Sequence, residues 1–314
     1  MQGSKAMQQH ILISGASGLI GSALSTHLAG LGFAIHRLER DNAAAPFNYS
    51  SASKQVTLDH SVSLSAVVNL AGPSIADGRW TARRKQALLE SRVDITTALA
   101  TALATAPQPP ALFLSASAVG FYGESTLPLN EEAPAGNDYL ASLATRWEAA
   151  TGPARRAGIA TAHLRFGVVL STKGGVLGKL MLPFSLCVGG RLGNGHQPMS
   201  WIALPDVLNL LTRIIETPDL LTAHADSEGA SALNLVASEP ITNAVFTKAL
   251  GRALHRPTPF PLPKSLIRLL FGEMGDALLL GHSAVISTRL STLGYTLKYP
   301  SIDLALDYLI EHKA

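Results

Sequence analysis

The run Gly15-Ala16-Ser17-Gly18-Leu19-Ile20-Gly21 constrains this chain more than any other feature. It follows a short apolar stretch, His10–Ser14, that reads as a buried strand. It opens an apolar-periodic stretch, Leu19–Leu31, that reads as a helix with Gly32 as its stop. Glycines between strand and helix allow a tight turn and bring backbone N–H groups close to an anion. The helix N-terminus adds a favourable dipole. In this context the pattern predicts a dinucleotide diphosphate as ligand. The competing reading is a turn that only packs a helix onto a strand. The spacing is G-x-x-G-x-x-G rather than G-x-G-x-x-G.

The chain beyond this turn keeps the same rhythm. Strands are expected at Ala34–Leu38, Val56–Leu58, Ala66–Leu70, Ala111–Ser115 and Ala162–Phe166. Helices are expected at Arg83–Thr105 and Tyr139–Ala157, with a loop at Ala43–Ser53. Alternation of this kind predicts an α/β fold with a parallel sheet covered on both faces. After about residue 167 glycine and proline become frequent, and helices dominate from Asn243. The expected division is 7–166 for the dinucleotide-binding domain and 167–314 for a smaller lobe. A strand near 232–237 is expected to return to the main sheet. Gly189–Gly195 reads as a surface turn or lid, and Met7 as a natural start preceded by an extension.

Composition removes several classes. Hydrophobic residues are 47% and charged residues 15% of the chain, which argues against disorder. No apolar run reaches the roughly 18 residues a membrane span needs, so no membrane association is expected. No basic stretch leads into an apolar one at the N-terminus, so a cytoplasmic protein is expected. A net charge of +3 is no nucleic-acid footprint. The single cysteine, Cys187, excludes a disulfide framework, and the ten dispersed histidines predict no metal site. The densest basic group, Arg79, Arg83, Arg84 and Lys85, reads as a solvated helix face or as a neighbour to an anionic ligand.

The end of the second strand should select the cofactor. An acid there bonds a ribose 2′-hydroxyl and favours NAD, whereas an arginine grips a 2′-phosphate and favours NADP. Glu39 and Arg40 are adjacent and argue opposite ways. A salt-bridged strand end is the third reading.

Further motifs carry a family resemblance. Asn69-Leu70-Ala71-Gly72 and Ser115-Ala116-Ser117-Ala118-Val119-Gly120-Phe121-Tyr122-Gly123 end the next two strands. With the glycine turn they resemble an extended short-chain dehydrogenase/reductase. More narrowly, the chain resembles the atypical branch called the epimerase family, nucleotide-sugar epimerase-like proteins with a C-terminal domain of unknown function. Arg79-Trp80-Thr81, Ser91-Arg92-Val93, Trp147-Glu148, Leu164–Leu170, Met199-Ser200-Trp201-Ile202 and Ile241-Thr242-Asn243 carry the match nearly end to end, with Phe271–Met274 and Gly294-Tyr295. The resemblance implies a Rossmann-type doubly wound parallel sheet with a smaller, mostly helical C-terminal substrate lobe. It implies NAD or NADP, with NADP slightly favoured. Gly15, Ser17, Gly18, Leu19, Ile20 and Gly21 would hold the diphosphate, and Arg40 and Asp41, with Glu39 as the competing acid, the adenosine ribose. Leu70, Ala71 and Gly72 would flank the cofactor, Arg92 would reach it from its helix, and Val169 would border the nicotinamide.

Hydride chemistry in this superfamily uses a Ser or Thr, a Tyr and a Lys. Ser117 occupies the serine position, with a cap as its bland reading. Tyr139 is the candidate tyrosine, with helix anchoring as its alternative. The lysine position is Leu143, or Ala144 if Leu140 replaces the tyrosine. No lysine lies between Lys85 and Lys173, so the usual mechanism cannot run unmodified. Tyr122, also a second candidate acid, and Trp201 are candidate substrate contacts, each with core packing as its alternative. Glu131, Glu132 and Asp138 read as a solvated acidic loop or as substrate contacts, and Asp206 as a helix cap. The expectation is an oxidoreductase or epimerase acting on a small polar or nucleotide-linked substrate through a degenerate Tyr-Lys pair. The alternative is a non-catalytic dinucleotide-binding sensor or partner-binding protein.

Overall fold

The computed structural model describes residues 8–125, 127–227 and 229–312; the expected start at Met7 lies outside them. In chain order the elements are β1 (His10–Ser14), α1 (Leu19–Gly30), β2 (Ala34–Arg40), β3 (Asn48–Ser50), β4 (Gln55–Thr57), β5 (Leu64–Asn69) and α2 (Ala82–Ala104). Then come β6 (Leu112–Ala118), α3 (Tyr139–Ala149), α4 (Gly152–Arg156), β7 (Ala160–Phe166), β8 (Val168–Leu170) and α5 (Gly175–Ser185). The chain closes with β9 (Pro198–Met199), β10 (Trp201–Ala203), α6 (Leu204–Glu216), β11 (Ala230–Leu235), β12 (Ile241–Thr242), α7 (Asn243–Ala253), α8 (Lys264–Phe271), α9 (Glu273–Leu279) and α10 (Ile302–Glu311).

Eight strands form one sheet in the order β11-β7-β6-β5-β1-β2-β3-β4, parallel except for β4. The alternation of side chains along β1 explains its two covered faces. Ile11 and Ile13 meet Leu24 and Leu28 of α1 and Leu210 and Ile214 of α6. Leu12 faces the other way and packs with Val67, Phe113 and the α2 residues Ile95, Leu99 and Leu103. This is a doubly wound α/β sheet of Rossmann type. The C-terminal region is helical. There α5, α7 and α10 enclose Trp201, Phe246, Leu250 and Leu306.

Three local expectations are corrected. The expected loop Ala43–Ser53 contains β3, which pairs with β2 and β4. Its three residues are too few to show a period. The expected helix Tyr139–Ala157 is two helices. Thr151 turns its hydroxyl back onto the Glu148 carbonyl at 2.7 Å, and Pro153, in the first turn of α4, has no N–H to continue the ladder. The run Gly189–Gly195 is not a free lid. Gly193 N donates to Leu262 O and Leu262 N to Arg191 O, both at 2.8 Å. Among the described residues no helix is long and apolar enough to cross a membrane.

Candidate functional site

The strand order reverses at β1. From β1 the chain runs outward through β2, β3 and β4, then crosses back to β5 on the other side of β1. A crevice opens at such a switch point, beyond the C-terminal ends of the strands. Ser14 is level with Leu38 of β2 and with Asn69 of β5. The glycine turn therefore emerges between Glu39-Arg40 on one side and Leu70-Ala71 on the other.

The turn requires its glycines. Gly15 has φ +76°, and a Cβ there would lie 2.6 Å from the Leu70 carbonyl oxygen. A Cβ on Gly21 would lie 2.2 Å from the Gly15 oxygen. Gly18 N donates back to Gly15 O at 3.0 Å and caps α1 without a side chain. The first-turn amides of Leu19, Ile20 and Gly21 have no intrahelical acceptor, and Ser17 beside them is exposed. Open amides, a helix dipole and close backbone packing fit a diphosphate.

Arg92 lies beneath the neighbouring turn. It is buried, donates to the carbonyls of Leu88 (3.0 Å) and Pro73 (2.8 Å), and sits over the Trp147 ring. A Cβ on Gly72 would lie 3.2 Å from its guanidinium carbon. Burial pulls its pKa down to about 10. Asn69 supports the same turn, accepting from Ala71 N at 3.3 Å and donating to Thr96 Oγ1 at 2.8 Å.

At the end of β2 the two acids are already engaged. Glu39 accepts from the Asn42 side-chain amide at 2.6 Å. Asp41, at φ +54°, accepts from Ser51 N (2.7 Å) and Ser51 Oγ (2.8 Å), and these bonds hold its carboxyl below the usual range. Arg40 is exposed and forms no ion pair among the described residues.

The catalytic positions are placed differently from expectation. Ser117 points toward α3 and is not among the residues that line the cleft. It is buried and donates to Glu148 Oε1 at 2.6 Å. Glu148 is held in turn by two bonds from Arg165, each 2.8 Å. Burial pushes the Glu148 carboxyl up, but Arg165, His163 and Ser117 together bring it below its ordinary value. Ser117 is therefore not placed to meet a substrate. Tyr122 belongs to the same network. It is buried and its hydroxyl, which accepts from Arg165 at 2.9 Å, donates to Asn234 Oδ1 at 2.8 Å. Trp201 is fully buried in the C-terminal cluster. Tyr122 and Trp201 are thus packing residues rather than substrate contacts. Val169 is half-buried in β8, level with Ile202.

Tyr139 and Leu140 do reach the cleft. Both line a cavity of about 530 Å³ between the sheet ends and the C-terminal region, within the usual ligand-site range. Leu140 packs on Gly120, where a Cβ would meet its own Cβ at 3.1 Å. Leu143 and Ala144 are buried. The Tyr139 hydroxyl donates to the Lys85 carbonyl at 3.1 Å, and its ring meets Trp80 edge-on. Burial raises its pKa; Arg92 opposes this and Glu273 reinforces it.

Other acids support the fold around this cavity. Glu131, expected in solvent, is instead buried and accepts from Asn234 N (3.1 Å), Ser287 Oγ (2.5 Å) and both Thr288 N and Oγ1 (3.0 Å each). Glu132 pairs with Arg289. Asp138 caps α3 through Ala141 N at 2.8 Å. Asp206 caps nothing. It is fully buried and accepts from Tyr295 Oη (2.7 Å), Lys298 N (2.7 Å) and Tyr299 N (3.0 Å). The signal for Glu148, Arg165 and Asp206 is a charge inside an otherwise apolar stretch, which requires a buried partner. Of the basic group at the start of α2, Arg83 is exposed, whereas Arg79 donates to Leu269 O, Arg84 to Ser74 O, and Lys85 pairs with Glu273.

The model of the NAD dependent epimerase/dehydratase family matches residues 11–225, and that of a domain of unknown function, DUF1731, matches 262–309. An epimerase family protein of Mycobacterium bovis is 39% identical over 301 residues, covering 95% of this chain and 96% of its own. Epimerase family protein SDR39U1 of Homo sapiens is 33% identical over 306 residues, covering 96% and 99%. The crystal structure of the human protein with NADPH superposes with a TM-score of 0.85 at 32% identity, over 96% of this chain and 99% of that one. A nucleoside-diphosphate sugar epimerase from Corynebacterium glutamicum gives 0.73 at 29%, over 96% of this chain and 59% of that one. With this sheet, this glycine turn and these matches, the chain belongs to the NAD dependent epimerase/dehydratase family.

Proposed function

We propose that this chain binds a nicotinamide dinucleotide along the Gly15–Gly21 turn, prefers the 2′-phosphorylated form, and exchanges hydride with a small molecule in the adjoining cleft. The observation that carries the reading is the turn, whose open amides and backbone-limited glycines fit a diphosphate. The human relative solved with NADPH supports it. The preference for NADP rests on Arg40, the charge at the β2 end that Asn42 and Ser51 leave uncommitted. A guanidinium suits a phosphate geometrically. Leu70, Ala71 and Gly72 flank the dinucleotide, and Arg92 fixes the turn that carries them.

The dinucleotide, when bound, supplies the hydride chemistry. The proton must come from the chain or from water. Tyr139 is the proposed donor, because it is the tyrosine among the described residues lining the cavity. Reduction of a carbonyl then places a hydride on its carbon and the Tyr139 proton on its oxygen; oxidation of an alcohol reverses both. Epimerisation would run the two in sequence at one carbon. With leucine and alanine where a lysine would depress the tyrosine pKa, turnover should be slow.

A second reading is a non-catalytic dinucleotide-binding sensor or partner-binding protein. It is favoured by the hydroxyls of Tyr139 and Ser117, both already donated within the fold. Calorimetric titration with NAD⁺, NADH, NADP⁺ and NADPH tests the cofactor. The phosphorylated pair should bind more tightly, and Arg40→Ala should erase the difference. Binding of none would sink both readings. Oxidation of bound NADPH by a member of a carbonyl panel, lost in Tyr139→Phe, supports the enzyme; tight binding without turnover supports the sensor.

A further inference from the structure

We infer that the cleft takes an uncharged, mostly apolar carbonyl or hydroxyl compound and excludes nucleoside diphosphate sugars. The inference rests on the hydride-exchange reading and concerns what that same cleft accepts.

The walls are the first observation. Val119, Leu140, Val168, Val176, Leu180 and Met199 contribute apolar surface from both sides of the cavity. The charges are the second. Among the described residues that line it there is no lysine or arginine and a single histidine, His282, whereas Glu124, Asp138, Glu273 and Asp276 are all present. Two of these acids are paired with cations, Glu273 with Lys85 at 2.5 Å and Asp276 with Arg268 at 2.8 Å.

A diphosphate needs compensating cations or a run of open amides when it leaves water. Entering here, it would give up hydration, meet carboxylates, two of them paired with cations from outside the lining, and find no guanidinium or ammonium among the lining side chains. Like-charge contacts of this kind act as a filter against the wrong ligand. An apolar body carrying one carbonyl suits the same walls, with Tyr139 at hand for its oxygen. The nucleotide-linked substrate implied by the family resemblance does not fit this lining.

The test uses the protein loaded with NADPH and two probes, 4-phenyl-2-butanone and UDP-glucose, each titrated calorimetrically with unreactive conditions checked by absorbance. The ketone should bind saturably, and UDP-glucose about 100-fold more weakly or not at all. Val176→Asp places a further carboxylate on the wall. Val176 is 38% exposed, so the variant should fold. It should weaken the ketone about 10-fold. Equal or tighter binding of UDP-glucose overturns the inference. So does absence of ketone binding, or ketone binding indifferent to Val176→Asp. Failure of NADPH to load would overturn the cofactor reading alone, and the same titrations on the unloaded protein would still decide the preference of the cleft.

Discussion

At Gly21 one methyl group is enough to close the turn, because its carbon would sit inside the van der Waals shell of the Gly15 oxygen. Gly21→Ala should weaken dinucleotide binding by at least about 100-fold, roughly 3 kcal/mol, measured by calorimetry. Glu131 makes a prediction of another kind. Burial pushes its carboxyl up, but the bonds from Ser287, Thr288 and Asn234 outweigh this and leave its pKa lowered. A depressed folded-state pKa gives stability that is present above the ordinary value of about 4.3 and is lost as pH falls through the folded value. Unfolding free energy should therefore decline on acidification below about pH 4.5. The Glu131→Gln variant should be less stable at neutral pH and show a shallower acid limb in denaturant titrations. The glycines were legible in the sequence because their chemistry is local. The role of Ser117 was not. Which face of β6 it occupies is fixed by the pairing of Ser117 with Arg165 on β7, and no short window of sequence contains that register.

At the scale of elements, long helices bounded by glycine or proline, such as α1 and α2, and apolar strands such as β1, β5 and β7 were readable, and short or interrupted ones were not. β3 is defined by its neighbours rather than by its own residues. The break between α3 and α4 depends on one hydroxyl bending back onto the chain and on the proline that follows. The segment before α10 shows the same dependence on distant partners. Asp206, in the first turn of α6, receives Tyr295 and the amides of Lys298 and Tyr299. Asp206→Ala would leave those donors buried without an acceptor. It should cost about 3 kcal/mol, read as a lower denaturant midpoint with an unchanged m-value. Dinucleotide affinity should stay within about twofold of the parent, since distant sites act nearly independently.

At the scale of the molecule, the alternation of strands and helices was sufficient for the fold, because a parallel sheet needs both faces covered and leaves few ways to connect its strands. The cleft was not legible. Its lining comes from α3, α5, α7, α9 and several loops, brought together only by the packing of the C-terminal region on the sheet ends. A ligand that binds only the folded state stabilises it, by about 2.7 kcal/mol at 100 times its dissociation constant. NADPH should raise the melting temperature measurably, NAD⁺ less, and Gly21→Ala should abolish the shift; an unchanged melting temperature in the parent would count against the glycine turn as its site.

The last strand to join the sheet has a consequence for synthesis on the ribosome. β11 lies against β7, yet a wall of the cleft and the whole of α6 are translated between them. Until residues 230–235 emerge, β7 presents an open parallel edge, the kind of surface that recruits other chains. A chain released after residue 225 should aggregate on expression, whereas one released after residue 240 should stay dispersed for longer, as size-exclusion chromatography would show. For this protein the most exposed moment comes during translation, in the interval when its nucleotide-binding half is nearly complete and still lacks its final strand.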